Sequence, residues 1–229
     1  MRVETATPLL SVIIPVWDMT PGRADLTEKV VNRVWEVSTI PTEVIVIDNG
    51  SAHRRHLRAS ARINWVANKG IAPAFNQGAM WAHGDVFCFL NSDCLVEPGW
   101  DKPLYDCAKV GNVVACPWTN GEKSDGIGIT GWCFVASKYT WEVVGPFDET
   151  FVPAFYEDTD WFERLYKSGG KMWSVPAANV LHVRGSDRDL LFLANRIRYA
   201  WKHKLDPNDT PHFWKQPLPN WSIMPSGPE

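Results

Sequence analysis

No stretch of this chain approaches the roughly 20 consecutive apolar residues that a membrane-spanning helix needs, so no transmembrane segment is expected. Nothing at the N-terminus has the charged, apolar, small-residue order of a secretory leader. Cys88, Cys94, Cys107, Cys116 and Cys133 are odd in number, lie in or beside apolar segments and form no Cys-x-x-Cys pair. Reduced thiols in a cytoplasmic protein are the expectation. Positive charge is not in excess either: a formal net charge of −3 gives no electrostatic reason to expect nucleic acid as a partner. Two phosphate cradles are missing as well. No Gly-x-Gly-x-x-Gly follows the first strand and no Walker lysine motif occurs, which argues against a dinucleotide dehydrogenase and a P-loop enzyme.

What remains is an ordinary globular composition, 45% hydrophobic and 21% charged over 229 residues, long enough for one generous domain or a domain with an appendage. Residues 9–16 and 44–47 read as buried strands rich in β-branched side chains. Between them Leu26, Val30, Val34 and Val37 recur at helical spacing, so strand, helix, strand describes the opening. A weaker strand at 63–66, a helix at 72–81 and a strand at 86–90 continue the alternation. The second half is mixed. Strands are expected at 113–117, 127–136 and 171–175, and a helix over 158–168 ends at Gly169-Gly170. Residues 190–205 read as a helix with a basic face of Arg196, Arg198, Lys202, His203 and Lys204, followed by a proline-rich tail.

Chemistry gathers where strands end. The 86–90 run stops in Asn91-Ser92-Asp93, and the carboxyl edge of an open α/β sheet is where ligands bind. Such residues also end strands simply by bonding a turn's backbone. If backbone amides do not cradle a phosphate, a cation must meet its charge, and Asp93 can hold Mg²⁺ or Mn²⁺ against it. Asp48, directly after the second strand, could accept from a base or ribose group, or merely cap an Asx turn. Glu157, Asp158 and Asp160 crowd a helix start, where mutual repulsion raises pKa values toward those of a useful base and helix-dipole complementarity is the plainer account. A lone His182 is more often structural than a ligand. Of thirteen tryptophans most belong to core or interface; Trp132 is the main sugar-stacking candidate, ahead of Trp17 and Trp161.

The order Ser11-Val12-Ile13-Ile14-Pro15-Val16, Val46-Ile47-Asp48-Asn49-Gly50-Ser51, Asn68-Lys69-Gly70, Asn76-Gln77-Gly78 and Leu90-Asn91-Ser92-Asp93 resembles family 2 glycosyltransferases. Gly131-Trp132-Cys133-Phe134, Val144-Gly145-Pro146-Phe147-Asp148-Glu149, Tyr156-Glu157-Asp158-Thr159-Asp160 and Leu181-His182-Val183-Arg184-Gly185-Ser186 resemble that family's acceptor-side motifs, especially in its rhamnosyltransferase-like branch. The resemblance covers residues 9–205. It implies an α/β protein of GT-A (Rossmann-like) fold: a mixed, mainly parallel sheet flanked by helices, with a helical C-terminal extension. Residues 1–185 would form the catalytic domain, with a nucleotide-sugar half to 95 and an acceptor half from 96, and 186–229 the extension.

The implied activity is inverting transfer of a sugar from a UDP- or dTDP-linked donor to a hydroxyl of a glycan or lipid-linked acceptor, assisted by Mn²⁺ or Mg²⁺. Pro15, Val16, Trp17, Asp48, Asn68, Lys69, Gly70, Asn76, Asn91, Ser92 and Asp93 would bind the nucleotide sugar, with Asp48 on the base. Asp93 and His182 would hold the metal, Asp158 would be the catalytic base, and Trp132 and Glu157 would border the acceptor. Asn91 stands where the family's metal motif begins with Asp, which implies modest metal affinity. Two rivals stay open: a catalytically silent nucleotide-sugar or glycan binder, and a glycosyltransferase acting on modified nucleic acid, hinted at by the basic helix alone.

Overall fold

A run of β-branched residues survives burial on both faces only if helices cover each side of its sheet. The first strand, β1 (Leu10–Val16), meets that condition with every residue buried. The structure is a computed structural model that describes residues 7–119, 131–183 and 190–206, with 208 and 211. After β1 come α1 (Pro21–Val37), β2 (Thr42–Asn49), β3 (Ala61–Trp65), α2 (Ile71–Trp81) and β4 (Val86–Leu90). The second half contributes β5 (Cys94–Val96), α3 (Asp101–Ala108), β6 (Val113–Thr119), β7 (Cys133–Ser137), α4 (Lys138–Val144), α5 (Glu157–Lys167), β8 (Lys171–His182) and α6 (Leu190–His203). Among the described residues eight strands form one sheet in the order β3-β2-β1-β4-β7-β6-β8-β5.

The alternation of side chains along β1 divides the core. Val12 and Ile14 face a cluster that takes Val30, Val31 and Val34 from α1 and Leu104 and Cys107 from α3. Ile13 faces the opposite cluster, with Phe75 of α2 and Trp161 and Phe162 of α5. That second layer is aromatic: Phe89 lies 5.2 Å from Phe75 edge to face, 5.0 Å from Phe134 stacked and 5.1 Å from Phe147 edge to face. Trp161 belongs here, fully buried, with its indole N–H donating to Gly145 O at 2.8 Å. It is a core residue and not a sugar platform.

The first half follows its expected alternation closely. The second half departs from it, since β5, α3 and α4 carry no periodic run long enough to announce them. The strand expected over 127–136 is observed from Cys133, and residues 127–130 lie outside the described part. β8 runs well past the expected 171–175, to His182, because its later residues pair with β5 through Cys94↔His182 and Val96↔Val180. Val66, expected inside a strand, lies beyond β3 and is almost fully exposed. Residues 184–186 of the His182 motif and the tail from 212 fall outside the described residues. No helix among the described residues is long and apolar enough to cross a membrane.

At Gly78 α2 lies tight against the sheet: a Cβ there would stand 2.1 Å from Ile13 Cγ2. Ile13 is β-branched and buried, so its methyl has little freedom to yield. Gly78→Ala is therefore expected to destabilise by about 1–3 kcal/mol, although alanine would otherwise favour a helix over glycine by about 1 kcal/mol. A urea titration checks this. An unchanged midpoint would contradict the α2–β1 packing.

Candidate functional site

Parallel pairing aligns three strand ends. Val16 of β1 lies opposite Asp48 of β2, and β1 also pairs with β4, Ile13 opposite Phe89. A cavity of about 210 Å³ opens at this edge. Pro15 and Val16 line it from the end of β1 with Trp17 just beyond, and Asn91, Ser92 and Asp93 from the turn after β4. Asn49, Asn68 and Ile71 form another wall, and Arg23, Pro153 and Ala154 complete it.

Side-chain amides fix the 68–70 turn. Asn49 Nδ2 donates to Asn68 Oδ1 at 2.8 Å and to Gly70 O at 3.0 Å, while the Lys69 amide donates to Asn49 Oδ1 at 2.7 Å. Gly70 adopts φ +105°, a conformation open to glycine, and a Cβ would press to 3.1 Å from Pro153 O. The Lys69 ammonium sits 4.7 Å over the Trp65 ring, so its charge is held beside the turn and not in the cavity lining.

Asp48 and Asn76 are placed otherwise than a direct ligand would be. The Asp48 carboxylate is fully buried: Oδ1 accepts from the Ser51 amide at 2.9 Å, and Oδ2 meets Arg62 at 2.9 Å and Arg54 at 3.1 Å. It is absent from the cavity lining. Asn76 ties α2 to the following half of the chain, donating to Phe147 O at 3.0 Å and to Glu149 at 2.8 Å and accepting from the Phe147 amide at 2.9 Å.

The β5–β8 pairing carries His182 from far along the chain to Asp93. Their Nε2 and Oδ1 stand 3.5 Å apart, wider than a good hydrogen bond and close enough for one cation to bond both. The Val183 amide donates to Asp93 O at 3.0 Å, and Trp132 stacks on the imidazole with centroids 5.2 Å apart and planes at 14°. One indole face is thereby spent on orienting His182. Cys94 completes a three-residue group whose donor atoms lie within 4.8 Å of one another. Its thiol is buried and its pKa pushed well up, by burial first and then by Cys133 and Asp93, so it stays protonated and is a poor ligand for a hard ion. Carboxylate and imidazole are a donor set that fits Mn²⁺, and Mg²⁺ less well because that ion prefers oxygen ligands.

At the start of α5 three carboxyls have three fates. Asp158 Oδ1 accepts from the Thr159 amide at 2.7 Å and its hydroxyl at 3.2 Å, and burial still raises its pKa. Its Oδ2 faces Gly131 so closely that a Cβ there would come within 1.6 Å. Glu157 is buried, with Oε2 unpartnered among the described residues, and burial followed by the Asp158 charge pushes it well up. Asp160, equally buried, goes the other way. Burial works to raise it, but His203, Lys202 and Arg164 outweigh that and hold it below the usual range.

The residues with no sequence signal are Arg23, Ile71, Pro153 and Ala154. Only Asn49 was within reach, being the neighbour of Asp48 in its strand-end motif.

The model of Glycosyl transferase family 2 matches residues 11–143, more than half of the chain. This chain belongs to glycosyl transferase family 2. No curated protein sequence matches this chain significantly. Among solved structures it is similar to GalNAc-T7 with UDP, GalNAc and Mn²⁺, at 17% identity and TM-score 0.68, covering 86% of this chain and 48% of that one. It is also similar to the mannosyltransferase PcManGT from Pyrobaculum calidifontis in complex with GDP-Man and Mn²⁺, at 18% identity and TM-score 0.60, covering 86% of this chain and 62% of that one. The chain thus spans about half of the first of these proteins and about three fifths of the second. The fold is GT-A, as the resemblance implied.

Because Glu157 favours its protonated form in the folded state, its contribution to stability is complete below the ordinary pKa of 4.5 and is lost as pH rises through the raised one. Glu157→Gln lacks that slope. Its melting temperature should gain on the parent's as pH is taken from about 5 to about 9, and a pH-independent difference would contradict the burial of this carboxyl.

Proposed function

We propose that this family 2 glycosyltransferase moves a sugar, with inversion, from a UDP- or dTDP-linked donor to a hydroxyl of a glycan or lipid-linked acceptor. The carrying observation is the pairing of Asp93 with His182 at the strand-end cavity, on the same molecule as Asp158, a carboxyl with raised pKa whose bonds from Thr159 both fall on Oδ1. The presence of UDP or GDP-Man with Mn²⁺ in the two similar structures supports a nucleotide-sugar donor and a divalent cation.

In this reading Pro15–Trp17, Asn68 and Asn91–Asp93 hold the donor, with Asn49, Lys69, Gly70 and Asn76 fixing the turn and helix around it. Asp48 acts at the base end through Arg54 and Arg62, which it orients. Asp93 and His182 would hold Mn²⁺ or Mg²⁺, which when bound neutralises the departing diphosphate as a Lewis acid. Asp158 takes the proton of the acceptor hydroxyl. The hydroxyl oxygen forms its bond to the anomeric carbon from one face while the bond to the diphosphate breaks on the other, its electron pair leaving with the phosphate. No protein nucleophile is needed. Trp132 and Glu157 stand behind these roles, stacked on His182 and beside Asp158. The rhamnosyltransferase-like motifs point to a hexosyl or deoxyhexosyl donor. Five buried cysteines, none of them in a disulfide, support a cytoplasmic setting.

A second reading, a silent nucleotide-sugar binder, is favoured by one observation: Asn91 brings a neutral amide to the cavity where the family has an acid. Asp158→Asn separates the two. The substitution keeps shape and is expected to leave nucleotide binding and melting temperature near the parent's, while turnover with a competent acceptor falls about 10²–10⁴-fold. Near-parental turnover would remove Asp158 from the mechanism.

A further inference from the structure

The segment between Phe151 and Tyr156 has two duties. Pro153 and Ala154 wall the donor cavity, and the turn that follows presents Glu157 and Asp158 as the first residues of α5. Phe155 and Tyr156 meet these demands with left-handed backbone, φ 75° and 70°, which bulky residues rarely adopt. Such a conformation persists only where its surroundings over-determine it.

The surroundings converge on one side chain of α6. Asn195 is 1% exposed, and its amide nitrogen lies 3.3 Å from Val152 O, 2.8 Å from Ala154 O and 3.2 Å from Phe155 O. An amide has two protons, so the three carbonyls share them and are drawn to one point. Asn195 Oδ1 accepts from Arg198 Nη1 at 2.7 Å, and that same nitrogen donates to Thr150 O at 2.5 Å, at the entry to the segment. From the other side the Ile71 amide donates to Pro153 O at 2.9 Å. The segment is therefore pinned between the start of α2 and the face of α6.

α6 is itself anchored to the helix that follows the turn. His203 Nε2 lies 2.8 Å from Asp160 Oδ1, Lys202 Nζ lies 2.7 Å from the same oxygen, and the Tyr199 hydroxyl donates to Glu163 at 3.3 Å. The Tyr156 ring packs 5.1 Å from Phe192 and 5.5 Å from Tyr199. These contacts would hold α6 in place without Asn195, so a buried amide aimed at three loop carbonyls is not needed to attach the helix. Its geometry serves the loop.

We propose that Asn195 is a positioning residue for sugar transfer: by gathering the carbonyls of Val152, Ala154 and Phe155 it holds the cavity wall and Asp158 in one fixed relation. The inference rests on the reading of Asp158 as the base. It also gives the C-terminal helix, which lies beyond the residues matched by the family model, a part in the reaction.

The test uses the full chain with two substitutions. Asn195→Asp keeps the shape and removes the donor, and Asn195→Leu keeps the volume and adds no charge. Hydrogen exchange of the segment 150–158, measured without substrate, should speed up about tenfold or more in both while amides of β1 and β4 keep the parent's rates. With whichever sugar the parent turns over from a panel of UDP-, dTDP- and GDP-linked donors, kcat should fall about 10²-fold, by more than the donor KM rises. Parental exchange in both variants overturns the proposal. So does faster exchange with parental kcat, which would leave Asn195 a structural tether, and so does failure of both variants to fold, which would make it a determinant of the whole fold. Full turnover in Asp158→Asn would instead sink the base assignment while leaving the exchange result intact, so the two failures are distinguishable.

Discussion

The arrangement depends on a parallel register that ends three buried strands at one level. Val16 lies opposite Asp48, and the β1–β4 pairing carries the Asn91-Ser92-Asp93 turn to the same edge. Strands buried on both faces can expose polar groups only where they stop, so ligand chemistry is confined to that edge. The edge offers no glycine-rich cradle for a diphosphate. In the proposed reading its charge is met by side chains: Arg23 in the lining, and a carboxylate and an imidazole that would share a cation.

Helix α5 shows how little the type of a residue decides about its charge. Asp158 and Asp160 lie two positions apart and both resist burial, yet one is raised and the other held low. The difference is in the partners. Asp160 faces Arg164, Lys202 and His203, which makes it a joint between α5 and α6. Asp158 takes the Thr159 amide and hydroxyl on Oδ1, and among the described residues no cationic side chain pairs with it. A cluster of acids at a helix start is thus divided by tertiary contacts into a structural anchor and a carboxyl of raised pKa, the one proposed as the base.

The residues up to the end of β4 were legible because period and punctuation agree there: β-branched runs, helical spacing in α1, and strand ends marked by Asp48-Asn49-Gly50 and Asn91-Ser92-Asp93. The alignment of Asp93 with His182 was suggested only by resemblance, since nothing local ties positions so distant in the chain; the β5–β8 register does it, and β5 is too short to leave a pattern. Asp48 shows the opposite limit. Its strand-end position was readable, but the arginines that occupy its carboxylate come from an irregular stretch and from β3. Trp161 could not be told from a surface aromatic by type, and the aromatic layer around Phe134 settles it as core. Arg23, Pro153 and Ala154 reach the cavity through the fold alone.

The central claim is that Asp93 and His182 share one cation at the donor cavity. The most direct measurement is anomalous diffraction at the manganese edge from crystals grown with Mn²⁺ and UDP. The account expects a single strong peak bonded to Asp93 Oδ1 and His182 Nε2, with diphosphate oxygens completing the coordination. A peak elsewhere, or UDP bound in the cavity with no metal between it and these two side chains, would contradict it.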